Sequence, residues 1–281
     1  MSICCLFIEE MWTCEAFALA FLDKQLFVLK SQQPQLDVYD AISSKPRGTV
    51  MIPTNARCCT DMIACSFHHC LYVVNAKCSI VRLEMPSKHM EWKVEDLYSN
   101  AVISLTSSHH VLVMCVGGGS HKLKLFSTYG MLLKTTELHP DLVNVTCAVE
   151  LKPGQYVVTH GRRCDALHRV CVVSSDGKIL QTFGGFRGSH PDLLDSPSGV
   201  VVDKDGFVYV DDEKNDRLVV LTQDLNYLHC MPGVFTKFSG TRRVNMDKER
   251  GHIYVTPWVH YVTHFPDMKH RHKTTVTIFK I

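Results

Sequence analysis

SPSGVVVDKDGFVYVDDEKNDRLVVL, residues Ser196–Leu221, decides the fold. Residues 200–202 read as an apolar strand. Asp203-Lys204-Asp205-Gly206 supplies a turn in which Gly206 suits a positive φ. Residues 207–210 are the return strand, 211–216 a polar loop, and 217–221 a third strand. Short β-branched runs bounded by Asp, Gly and Asn clusters are the signature of hairpins and meanders.

Tyr209-Val210 in this stretch is one of six pairs in which a bulky residue precedes valine. The others are Phe27-Val28, Tyr72-Val73, Leu112-Val113, Tyr156-Val157 and Tyr254-Val255, about 40 to 53 residues apart. That spacing is the period of one small antiparallel sheet in a propeller. The expected architecture is therefore all-β: a six-bladed β-propeller of four-stranded antiparallel blades in a single domain, 1–281. The units run roughly 12–47, 57–97, 98–140, 141–190, 195–232 and 238–281. The last unit stops after its third strand, and the apolar segment 3–8, within a closing strand at 1–11, fills the gap by pairing with it. Such closure removes an exposed sheet edge.

Hydrophobic residues make up 46% of the chain, charged residues 21%, and the net charge is +2. This excludes a strongly basic or acidic tail protein. No run of eighteen apolar residues is present, so no spanning helix and no membrane association are expected. Glu9, Glu10 and Glu15 interrupt the apolar start, which is read as fold rather than as an export signal. Thirteen cysteines, many inside apolar stretches (Cys65, Cys70, Cys115, Cys147, Cys171), fit a reduced, cytoplasmic chain.

Pro197, Gly199, Val202-Asp203, Asp205-Gly206, Tyr209-Val210, Asp212, Asn215 and Arg217-Leu218-Val219 resemble the NHL repeat. Phe183-Gly184-Gly185 resembles the lead-in between such repeats. The likeness is strong in this unit, partial in the fourth and sixth, and weak in the first three. It implies the propeller of the tripartite-motif NHL proteins, a non-enzymatic platform for a protein or structured-RNA client. It also implies a link to ubiquitin-dependent turnover or post-transcriptional regulation. Any catalytic RING lies outside this chain, since neither paired C-x-x-C spacing nor a long heptad run occurs.

Several side-chain groups invite chemistry. Cys58, Cys59, Cys65, His68, His69, Cys70 and Cys78 cluster in the second unit, but only Cys65 with His68 or His69 has a zinc-like spacing. They are read as core cysteines with a surface turn. The alternative function is a hydrolase or lyase with a metal at the central channel, for which Asp203, Asp211, Asp212, His160 and Asn75 are the candidates. Acids do not recur at equivalent positions in three blades, and no Gly-x-Ser-x-Gly element occurs. No catalytic residue, cofactor, metal or small-molecule substrate is therefore expected.

The loops joining second to third strands open on the same face as the connections between blades. Lys77, Lys122, Arg162 and Arg163 are assigned to the first set, and Arg47, Arg57, Arg187, Arg242 and Arg243 to the second. Lys269-His270-Arg271-His272-Lys273 joins them from the long loop of the last unit. The expected client-binding site is this basic face: Arg57, Lys77, Lys122, Arg162, Arg163, Arg187, Arg242 and Arg243. Arginine suits phosphate or carboxylate partners through its planar fork. Phe186, Trp258, Tyr261 and Phe265 are candidates for stacking on RNA bases. Arg217 is expected to tie loops together rather than touch a client.

Overall fold

The computed structural model describes residues 3–7, 16–30, 34–43, 45–55, 59–85, 88–96, 101–117, 120–162, 164–232, 243–248, 251–256 and 275–281. Among these the only helical element is one 3₁₀ turn, Glu213–Asn215. Five blades each take four consecutive strands. The first holds β2 (Ala16–Leu22), β3 (Gln25–Lys30), β4 (Gln35–Asp40) and β5 (Pro46–Met51). The second holds β6 (Cys59–Cys65), β7 (Cys70–Asn75), β8 (Ser79–Glu84) and β9 (Lys88–Lys93). The third holds β10 (Val102–Leu105), β11 (Val111–Gly117), β12 (Ser120–Phe126) and β13 (Leu132–Glu137). The fourth holds β14 (Val145–Lys152), β15 (Gln155–His160), β16 (Leu167–Ser174) and β17 (Ile179–Phe186). The fifth holds β18 (Pro197–Val202), β19 (Val208–Asp212), β20 (Arg217–Leu221) and β21 (Tyr227–Pro232).

The sequence leads one to expect six like units, but only five are complete runs of four successive strands. The remaining sheet is a composite: β22 (Arg243–Asp247), β23 (His252–Thr256) and β24 (Thr275–Lys280) are joined by β1 (Ile3–Phe7) from the other end of the chain. β1 lies antiparallel to β24, from Ile3 opposite Phe279 to Phe7 opposite Thr275.

The recurrent bulky–valine pair sits in the second strand of each sheet, where both faces are covered by neighbouring blades. Successive side chains of a strand point to opposite faces. Phe27 therefore enters the core shared by the first two blades, while Val28 enters the core that also holds Tyr254 of the composite sheet. Tyr72 faces the third blade and Val73 the first; Tyr209 faces the composite sheet and Val210 the fourth blade. The ring is thus a circle of inter-blade cores. Each fully buried member contributes about 1.5–3 kcal/mol of transfer free energy.

Inner strands of adjacent blades do not pair as sheet, and side chains join them instead. Asp61 accepts the Ile103 N–H at 2.9 Å, and the Ser104 hydroxyl donates to the Ala148 carbonyl at 2.9 Å. Thr146 donates to the Pro197 carbonyl at 2.7 Å, and Asn245 to the Leu19 carbonyl at 2.6 Å, crossing from the composite sheet to the first blade. Between β18 and β22 a Cβ on Gly199 would lie 2.9 Å from the Val244 side chain, so this approach requires glycine. Gly206 has φ +86°, the left-handed turn conformation expected of it.

Candidate functional site

The six inner strands enclose a channel of about 1050 Å³. It opens on the face formed by the turns between first and second strands: Asp23-Lys24, Ser66 to His69, Ser107 to His109, Lys152-Pro153, Asp203-Lys204 and Asp247-Lys248. Deep inside, Asp61 is buried, and burial raises its carboxyl above the usual range despite Arg243, whose Nε lies 3.7 Å away. The two groups come from the second blade and the composite sheet.

At the mouth, the Phe67 ring is 68% exposed and stacks on His109 of the next blade, with centroids 4.3 Å apart and planes 4° from parallel. His68 packs edge-on against Phe67, and His69 lies 3.2 Å from Asp23 of the first blade. The acids here are already engaged. The Asp203 carboxylate accepts the N–H groups of Asp205 and Phe207, both at 2.9 Å, and the Tyr209 hydroxyl at 3.1 Å. Glu150 accepts the Ser107 N–H. Lys24, Lys152 and Lys204 are exposed, and none forms an ion pair with a carboxylate among the described residues.

The basic residues expected from sequence fare differently on the opposite face. Arg57, Arg163 and Arg242 lie outside the described residues, as do Trp258, Tyr261, Phe265 and the run 269–273. Lys77 occupies an exposed turn with its N–H donated to Asn75 at 2.9 Å. Arg162 is exposed and donates its backbone N–H to Asp165 at 2.6 Å. Arg187 pairs with Asp195 at 2.9 Å. Lys122 is not a loop residue: it lies within β12 and pairs with Glu137 at 2.9 Å. Arg243 is not in an inter-blade connection either, because it begins β22 and its side chain reaches Asp61 in the channel. Arg47 lies in β5 and pairs with Asp40. The chain alternates direction strand by strand, so shifting a strand boundary by two or three residues moves a cation off a loop.

Each metal candidate from sequence is hydrogen-bonded within the fold. Asp203 holds its turn. Asp211 accepts the Ser198 hydroxyl at 2.6 Å, and Asn75 joins Thr54, Glu91 and the Lys77 and Ser79 N–H groups. Asp212, buried, accepts Arg217 Nε at 2.7 Å, Asn215 at 2.7 Å and the Asp195 N–H at 2.6 Å. Arg217 also donates to the carbonyls of Ser189, His190 and Leu193, fastening the connection before the fifth blade as expected. Burial and the adjacent Arg169 bring His160 down to about 4, and Arg169 Nε donates to its Nε2 at 3.0 Å.

Sequence reasoning missed the channel mouth. Residues 62–67 read in sequence as one strand of the second unit, yet β6 stops at Cys65 and Phe67 lies in the turn. A large aromatic placed between Ser66 and two histidines is the signal that could have found it.

No protein-family model matches this chain, and no curated protein matches it in sequence. Solved structures match its fold. A streptogramin B lyase structure shares 10% identity over 90% of this chain and 80% of its own, with a TM-score of 0.64. The β-propeller domain of Myceliophteria thermophila Cps50 (Swd1) shares 11% identity over 95% and 83%, TM-score 0.59. The WD40 β-propeller domain of Doa1 shares 9% identity over 100% and 98%, TM-score 0.57. These likenesses establish a propeller of small four-stranded antiparallel blades.

Proposed function

We propose that this propeller is a non-enzymatic recognition platform for a protein client, and that an acidic segment of the client docks at the turn-side mouth of the channel. One observation carries this reading: the mouth combines an exposed aromatic stack with lysines that lack carboxylate partners. Aromatic side chains anchor protein interfaces, and unpaired rim charges steer association with an oppositely charged partner. On the opposite face, Lys122 and Arg187 are already paired with carboxylates and Arg243 turns into the channel toward Asp61, which leaves less positive charge there than the sequence suggests.

The link to ubiquitin-dependent turnover or post-transcriptional control rests on the NHL-like residues of the fifth unit alone. Structured RNA is the rival client. The propeller is shared with both a lyase and WD40 domains, so the fold by itself favours neither an enzyme nor a platform. Within the channel, Asp61 and Glu150 each already accept a backbone N–H, which favours a structural role for them. The free thiols at Cys65, Cys70, Cys115, Cys147 and Cys171 fit a reducing cytoplasm.

A crosslinking pull-down analysed for protein and nucleic acid identifies the client. Binding is then measured by fluorescence anisotropy for two variants. Lys24→Glu/Lys152→Glu/Lys204→Glu is expected to abolish capture, and Lys77→Glu/Arg162→Glu/Arg187→Glu to leave it within about twofold. The reverse pattern, or recovery of RNA whose binding falls steeply with salt, overturns the proposal.

A further inference from the structure

The hairpin that carries Phe67 also closes a pair of thiols. Cys65 ends β6 and Cys70 begins β7, and the two are directly opposite in the antiparallel register, with Ser66 to His69 as the turn between them. Directly opposed residues of an antiparallel pair have Cα atoms about 4.5–5.5 Å apart, inside the range a disulfide spans. Both thiols are free.

Their surroundings differ from those of the other buried cysteines. Arg82, itself 4% exposed, points its Nε at the Cys70 sulfur at 3.5 Å. The Cys65 thiol lies across the strand pair from it, and the Tyr72 hydroxyl donates elsewhere, to the Thr128 carbonyl at 3.4 Å. His68 Nδ1 lies 3.3 Å from the Cys65 sulfur. Cys171, in contrast, has only the Thr182 hydroxyl at 3.6 Å, and burial pushes its thiol up. Burial likewise pushes Cys115 up, to about 11. Cys65 lines the channel, so a small solute there meets its thiol, and Cys70 lies directly opposite it in the strand pair, fully buried.

We infer that Cys65 and Cys70 form an oxidation site, in which Cys70 is the nucleophile toward hydroperoxides and Cys65 resolves it as an intrachain disulfide. The chemistry balances without a cofactor. The Cys70 thiolate attacks the terminal oxygen of the hydroperoxide and the O–O bond breaks. Sulfur becomes sulfenic acid, and the departing alkoxide or hydroxide takes up a proton. Cys65, its proton accepted by His68, then attacks the Cys70 sulfur and expels hydroxide, which leaves as water. Two thiols lose two electrons, and the hydroperoxide is reduced to an alcohol or water. Interaction with Cys65 and with the Arg82 guanidinium lowers Cys70 from the ordinary thiol range, and the same interaction with Cys70 raises Cys65. That division is what a nucleophile and a resolving thiol require.

The site is independent of the client reading. The full-length reduced protein is treated with one equivalent of hydrogen peroxide, alkylated and digested with chymotrypsin, which cleaves after Phe67. Peptide mass spectrometry is expected to find the Cys65 and Cys70 peptides joined, while Cys115 and Cys171 remain alkylated. In Cys65→Ser, Cys70 stops at sulfenic acid and is trapped by dimedone. Glutamine in place of Arg82 should slow the reaction roughly tenfold. Should that variant unfold, the comparison of Cys70 with Cys115 and Cys171 inside the wild-type molecule decides alone. If the exposed Cys164 and Cys230 oxidise while Cys65 and Cys70 stay reduced, the inference is overturned.

Discussion

The fifth and second blades have the same strand order and opposite uses of their polar residues. In the fifth, Asp203, Asp211, Asp212, Asn215 and Arg217 are all engaged within the blade or with the connection that leads into it. In the second, the corresponding turn has lost its Asp-Gly punctuation and carries Ser66-Phe67-His68-His69, which faces the channel mouth. The difference teaches that strong repeat character marks side chains committed to holding the ring. Where the repeat has drifted, the hairpin is kept by its strand pairing and by burial, without Asp-Gly chemistry, and the turn is released to present other chemistry.

The largest effect that would test this contrast is in the fifth blade. Removing Arg217 leaves the Asp212 carboxyl buried, and burial already raises it above the usual carboxylate range in spite of its donors. Arg217→Met is expected to cost about 3–5 kcal/mol, the usual consequence of stripping one partner from a buried pair. Chemical denaturation reads this directly, and client binding per folded molecule should not change. A loss below roughly 1 kcal/mol would show that this network does not hold the ring.

The fourth blade, next to it, supplies a pH signature. His160 lies near 4 when folded and near the ordinary value, about 6.5, when unfolded. The unfolded chain therefore binds the proton more tightly. The associated stability is complete above pH 6.5 and disappears as pH falls through 4. The shift corresponds to roughly 3 kcal/mol. Replacing His160 with Gln should flatten the stability curve across that window. An unchanged curve would assign the acid sensitivity elsewhere.

The legible part of the structure was whatever repeats. The bulky–valine pairs are visible because their side chains must fill two inter-blade cores at once, a demand renewed in every blade. The pairing of the two termini was legible because an apolar segment was left over at one end and an outer strand was missing at the other. The site was much less legible, because it depends on where strands end. Lys122 is the third residue of β12 and Arg243 the first of β22, and that placement turned expected loop cations into partners of Glu137 and Asp61. Nothing in residue spacing announces that Phe67 and His109, in different blades, would stack; the packing of the second blade against the third brings their turns together.

The second blade's turn gives the smallest effect on stability. Phe67 is mostly exposed and its neighbours, His68 and His109, are half-buried rings at the turn tips. Phe67→Ala should therefore change unfolding free energy by about 0.5 kcal/mol or less. If the mouth is where a client docks, the same substitution removes a central aromatic anchor, and such truncations cost 2 kcal/mol or more of binding, about thirtyfold in affinity. Measured side by side, Arg217→Met should lower stability and spare binding, whereas Phe67→Ala should do the reverse. The two blades would then be separated by function as well as by sequence. If Phe67→Ala instead unfolds the protein, the stack with His109 is a structural joint between the second and third blades. Drift from the repeat would then reflect a different way of holding the ring rather than freedom from holding it.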